Sequence, residues 1–214
     1  MLEYAATVFV TLLVIIDPVA VLPMFLALTQ RQAKARRRKT AVQAITVAAV
    51  TLLVLAFAGD ILLRLLGIGL PAFRIAGGIL LFLLSIEMVF ARQSGLRSAT
   101  PAETEEAEVS YDVAVFPLAI PLTAGPGAMT SIILLMGQAS GDIARQTVVI
   151  AVMLFVLALS LATFLFAPPL MEKLGVTGVN VIGRVFGIIL AALAVQYVVD
   201  GVGELLMGTR LTTL

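Results

Sequence analysis

The chain has 214 residues, 61% of them apolar, with a mean hydropathy of +1.12 and a net charge of +1. Soluble domains run about 45–50% apolar, so this composition excludes a water-soluble domain of useful size. Neither cysteine nor histidine occurs, which removes disulfides, thiolate chemistry, and the commonest proton shuttle and metal ligand.

Six stretches approach the roughly 20 apolar residues that a membrane-crossing helix needs: about 5–28, 41–59, 72–90, 113–136, 147–167 and 180–200. The expected fold is an all-α integral membrane protein, one membrane domain over 1–214. The first stretch lacks a basic start and carries Asp17-Pro18 near its middle, so it reads as a retained span rather than a signal peptide. Asp17-Pro18 reads as the N-cap and first residue of a second half-helix.

The loop "QRQAKARRRKT" at 30–40 holds six of the fourteen basic residues. The positive-inside rule places it in the cytoplasm and both termini outside. Loops 91–112 and 168–179 then also face in. That puts nine Lys and Arg inside (six plus Arg92, Arg97 and Lys173) against three outside (Arg64, Arg145 and Arg210). So short a basic run between two spans reads as a topology signal, compatible with anionic lipid, rather than as a nucleic-acid site.

Span 72–90 begins with Arg74, continues through Gly77 and Gly78, and ends near Glu87, the second acid well inside a span. Glu87 is a candidate proton carrier or a partner for Arg184. Arg74 and Arg184 read either as arginines that snorkel to the interface or, in a sharper reading, as a pair of gates in which Arg74 meets Asp200 or Asp142 outside. The linker 91–112 contains the acidic "PAETEEAE". Span 113–136 contains "FPLAIPLTAGPGAMT", three prolines and two glycines where a continuous helix is expected. Gly125-Pro126 reads as a permissive cap followed by the first residue of a half-helix. In the last span Gly183 and Gly187 have the GxxxG spacing of close helix packing, with a neighbour in this chain or in another subunit.

Laid over each other, the two halves share their punctuation. One constant shift brings Pro18 onto Pro126, Arg37 onto Arg145, and Leu66-Gly67 onto Leu174-Gly175. Residues 1–90 and 113–214 then form two three-span repeats. Three is odd, so the second inserts upside down, a transporter feature with the site where broken helices meet at mid-membrane. Two helix N-termini would approach the midplane, and such ends bind anions. One break carries the carboxylate of Asp17 and the other the bare Gly125. An ammonium facing Asp17 and a carboxylate on the amides of Gly127 and Ala128 would suit a zwitterion. Pro18 and Pro126 shape the breaks, and Thr123 and Thr130 add hydroxyls. No nucleophile–histidine set, phosphate loop or metal-ligand cluster is present, so the chain is read as a non-enzyme without cofactor or metal.

"FPLAIPLTAGPGAMT" together with "IIDPVAVLPMF" resembles the MarC family of inner-membrane proteins, and the resemblance covers essentially the whole chain. The matching motif positions are Asp17, Pro18, Pro23, Pro117, Pro121, Gly125, Pro126 and Gly127. Ala20 and Val21 stand where the family usually has Gly-Asn. The resemblance implies a grouping with amino-acid exporters of the LysE type and transport of small neutral amino acids. The expectation is therefore a secondary transporter in the cell inner membrane, driven by a proton or sodium gradient. A non-transporting scaffold or regulator is the alternative, and a channel a third; a homo-oligomer is left open.

Overall fold

The structure is a computed structural model that describes residues 1–91 and 113–211. The linker expected over 91–112, apart from Ala91, lies outside the described residues, as does the side chain of Arg210. Seven α-helices follow in order: α1 (Leu2–Ile16), α2 (Leu22–Thr29), α3 (Lys34–Leu65), α4 (Leu70–Val89), α5 (Pro126–Gln138), α6 (Ile143–Leu165) and α7 (Ala167–Leu211). A wide-turned segment, Ala114–Thr123, precedes α5. There is no strand among the described residues.

Four helices, α3, α4, α6 and α7, are long and apolar enough to cross a membrane. Ala114–Thr123 with α5 makes a fifth span if the bent pair, at 59°, is counted as one. The first expected span is broken as anticipated, into the 15 residues of α1 and the 8 of α2. Neither piece alone has the length of a span.

Two expected loops are helical instead. The basic run begins in a short connection, but Lys34 onward is the start of α3, entered from an extended Ala33. Lysine and arginine are good helix formers, so the charged run extends the apolar helix. Residues 168–179 are also helical, around a break at Gly175 (φ 63°, ψ 173°), a backbone region that essentially only glycine visits. Gly67, which falls on Gly175 under the constant sequence shift, also has positive φ, 68°.

Helix α3 shows how the sequence sorts its faces. Ala41, Ala44, Ala48, Leu52, Ala56 and Gly59 are buried, a mostly small-residue face that lets helices approach. Val50, Val54, Phe57 and Ile61 are exposed at helical spacing; in a bilayer this stripe meets lipid. At the C-terminal end of the stripe, Asp60 and Arg64 pair at 2.8 Å.

The closest packing is between α4 and α7, and three glycines permit it. A Cβ at Gly78 would lie 2.7 Å from the Ala194 carbonyl oxygen. One at Gly187 would lie 3.0 Å from the Val89 nitrogen, and one at Gly201 2.8 Å from the Pro71 oxygen. The helices therefore run antiparallel with backbones nearly touching. Gly187 finds its neighbours, Met88 and Val89, in the same chain. Of the GxxxG pair only Gly187 serves, since a Cβ at Gly183 would meet nothing within 4 Å. Gly77 faces α5, where Thr130 and Leu134 fill the space a side chain would need.

Candidate functional site

Prolines 117 and 121 explain the path into α5. A residue before proline is pushed out of the helical region, and both Phe116 (φ −130°, ψ 129°) and Ile120 (φ −127°, ψ 125°) are extended. Both Phe116–Pro117 and Ile120–Pro121 are cis. Between these residues the chain winds in wide turns. The Ala124 amide donates to the Ala119 carbonyl at 2.8 Å, and the Thr123 hydroxyl donates to the Leu118 carbonyl at 2.8 Å. The expected half-helix before Gly125 is thus replaced by a broader coil, because two helix-incompatible residues fall four apart.

Gly125 then turns the chain. It is extended (φ −81°, ψ 175°) and Pro126 opens α5, as expected. A Cβ at Gly125 would lie 2.5 Å from the Pro121 carbonyl oxygen, which backbone cannot yield. The first turn of the helix is closed by Met129 N–H donating to Gly125 O at 2.9 Å. The Gly127 and Ala128 amides precede that ladder and carry the positive end of the helix dipole.

This end points at a cleft of about 20 Å³ lined by Ile15, Leu84, Thr123, Gly125, Pro126 and Gly127, among others. The volume suits about one water. The two breaks lie side by side, since a Cβ on Gly127 would be 3.4 Å from the Ile15 side chain and 3.0 Å from Leu81. Thr123, Gly125, Pro126, Gly127 and Ala128 are brought together; Thr130, one turn further, packs on α4.

Asp17 is fully buried but does not line the cleft. Its role differs from the expected N-cap of α2. It closes α1 in a left-handed conformation (φ 44°), its amide donating to Leu13 O. Aspartate tolerates that conformation better than most residues. Its Oδ1 accepts from Ala20 N–H at 3.2 Å, capping a single turn. Helix α2 starts only at Leu22, with Pro23 rather than Pro18 in its first turn. Two helix N-termini therefore do not meet at this depth. The C-terminal end of α1, with a carboxylate, sits beside the N-terminal end of α5.

The expected gates are corrected as well. Arg74 is buried, and its Nη1 donates to Glu204 Oε1, not to Asp200 or Asp142. Asp200 accepts from Gln196 at 2.7 Å, and Asp142 caps α6 through Arg145 N–H at 3.0 Å. Glu87 is half-buried and Arg184 is exposed on α7. No ion pair given for the described residues joins Arg184 to Glu87. Sequence reasoning missed Glu204, whose partner lies 130 residues away, and Tyr4 and Tyr197 at the same end of the bundle. No local pattern signals a pairing at that separation.

The family model described as MarC family integral membrane protein matches residues 2–206. A UPF0056 membrane protein of Archaeoglobus fulgidus is 36% identical over 204 residues, covering 95% of this chain and 94% of the relative. The UPF0056 membrane protein of Aquifex aeolicus is 37% identical over 204 residues, 92% of each. The UPF0056 inner membrane protein YhgN of Escherichia coli is 35% identical over 198 residues, 90% of this chain and 93% of the relative. No solved structure matches the chain significantly.

Proposed function

The chain belongs to the MarC family of integral membrane proteins, and on that premise we propose that it is a secondary transporter of small zwitterionic solutes, small neutral amino acids foremost. The observation that carries this is the juxtaposition of two breaks of opposite sign: the N-terminus of α5 at Gly125–Ala128 and the buried Asp17 that closes α1. Free amides favour a carboxylate. A carboxylate held away from water favours a cation beside it, and a solute ammonium is one. Irregular backbone at membrane depth is tolerated only against protein or a wet cavity, and the α5 break has both.

In this reading α1 and α2 form one crossing, Ala114–Thr123 and α5 another, and the six crossings divide into inverted three-span repeats, 1–90 and 113–214. The positive φ shared by Gly67 and Gly175, which fall on each other when the halves are superposed in sequence, supports that division. The basic start of α3 faces the cytoplasm and both termini face out. A proton or sodium gradient drives the cycle. The cleft, with room for about one water, must widen for a solute to bind, as alternating access demands. The same small volume is the observation that favours a non-transporting scaffold as the second reading.

Purified protein in liposomes should accumulate labelled alanine or glycine under a proton or sodium gradient, and Asp17→Asn should lower the rate at least tenfold. No uptake of any small amino acid under either gradient sinks the transport reading.

A further inference from the structure

The exposed stripe of α3 does not stop at Val50. Followed back toward the start of the helix in steps of three or four residues, it continues through Thr46, Gln43, Lys39 and Arg36, each of them exposed. Residues at that spacing share one face of a helix. A single face therefore runs from two cations, past an amide, into oil. Thr46 belongs to the apolar part, because its hydroxyl is tied to the Val42 carbonyl of its own helix at 2.8 Å.

Other cations of this end face elsewhere. Arg37 turns toward the bundle, where its Nη2 donates to the Thr29 carbonyl at 3.5 Å. Thr40 donates to Gln32 at 2.9 Å, so the turn between α2 and α3 is fastened on that side. Lys34 and Arg38, one helical turn apart and both exposed, stand off the stripe at 3.6 residues per turn.

Negative charge is missing where α3 calls for it. No Asp or Glu occurs between Asp17 and Asp60. The first turn of α3 holds no acid, and Ala33 gives no side-chain cap. Cations there sit at the positive end of the helix dipole, the unfavourable end. The far end of the same stripe is finished differently. Arg64, the next exposed position after Ile61, has an acid built into the helix, Asp60 at 2.8 Å. One end carries its counter-charge in the chain, and the other presents cations on the face that meets lipid.

We propose that the Arg36–Lys39 end of this stripe is a docking site for an anionic phospholipid, in the leaflet at the N-terminal end of α3. The order of groups along the helix is the order along such a lipid. Its phosphate meets the guanidinium and the ammonium. Gln43, about 6 Å deeper at 1.5 Å per residue, donates to the glycerol ester carbonyls. The acyl chains lie along Thr46 and Val50. A soluble anion would match only the first of these layers. A topology signal needs a number of cations near a span; this site needs these two, on this face. It does not depend on the transport reading.

The chain has no tryptophan, so one introduced on the stripe reports its own lipid neighbours. Thr46→Trp samples the leaflet near Lys39, and Phe57→Trp the opposite one. In vesicles of phosphatidylcholine and phosphatidylglycerol, quenching by brominated acyl chains on one lipid or the other gives their relative affinity at each position. At Thr46→Trp phosphatidylglycerol should be preferred about tenfold or more, a cation near an anionic surface counting for about fivefold. At Phe57→Trp the preference should stay below about twofold, since Asp60 answers Arg64. Adding Arg36→Gln and Lys39→Gln should bring the Thr46→Trp preference below about twofold. Adding Lys34→Gln and Arg38→Gln instead, the same loss of charge off the stripe, should leave it above about fivefold. No preference at Thr46→Trp overturns the proposal, as does an equal preference at Phe57→Trp. An equal fall in both charge-removed variants also overturns it, because charge at large and not this face would then hold the lipid. If the Arg36→Gln, Lys39→Gln variant does not insert, Lys39→Gln alone decides: the preference should fall about fivefold, and an unchanged value overturns the site.

Discussion

The break after Ile16 and the break before Pro126 interrupt apolar segments at matching places in the two halves, yet they are built oppositely. The first is closed from behind: α1 ends in a left-handed Asp17, whose carboxylate caps the turn that follows. The second is opened from in front: an extended Gly125 hands the chain to Pro126 and a fresh helix. One therefore exposes the negative end of a helix with an acid added, and the other a positive end with no side chain at all. The two breaks thus carry opposite polarities, and it is that difference, more than the likeness of their flanking sequences, on which the proposed site for a dipolar solute rests.

Substitutions can break this contrast. The largest effect should come at the second break. Gly125→Val places a side chain against the Pro121 carbonyl, with the nearest atom at 2.5 Å, and should cost about 3 kcal/mol, the upper range for overpacking. Thermal unfolding in detergent should show a large fall in Tm, with uptake at background. A Tm within a degree or two of the parent would mean that the close turn is not needed.

At the first break, two substitutions separate charge from conformation. Asp17→Ala loses a cap worth about 1 kcal/mol and places alanine in a left-handed conformation at a further cost of about 1–3 kcal/mol. Asp17→Asn keeps both and should lose under about 1 kcal/mol. Uptake should fall in both variants if the carboxylate binds the solute. Full activity in Asp17→Asn would reduce Asp17 to a cap.

Thr123→Val removes the bond to the Leu118 carbonyl and should cost about 1 kcal/mol, a test of whether the wide coil needs its clasp. The smallest change in stability is expected for Gly127→Ala. Its neighbours are the branch ends of Leu81, Leu84 and Ile15 at 3.0–3.4 Å, which can give way. Because the methyl enters the cleft, uptake should drop while stability stays within about 1 kcal/mol of the parent. Unchanged uptake would place the solute elsewhere.

Legibility in the sequence followed locality. Gly125-Pro126 was readable because a cap and a first-turn proline state a helix start within two residues. Asp17-Pro18 was readable as a break but not as its kind. Aspartate serves as an N-cap and also accepts a left-handed backbone, and only the flanking path chooses between them. The two prolines before Gly125 announced an interruption, while the wide coil between them depends on bonds five residues apart that no composition rule reports. The basic run misled because charge suggests a loop, although lysine and arginine are at home in helices. The Arg74–Glu204 pair joins the third apolar segment to the last, and nothing in either segment points to the other.

Helix α3 has a further consequence. Between Lys39 and Asp60 it carries twenty residues without a single charge, about 30 Å of helix, which is the thickness of the hydrocarbon layer. Fixed charges bracket that length at both ends. Sliding the helix along the membrane normal would drag one set into oil, so α3 works as a ruler that fixes the depth of the whole bundle. If the protein cycles between conformations, α3 is its stator. The moving parts are then to be sought where the chain is already cut: at Asp17, at Gly125 and at Gly175.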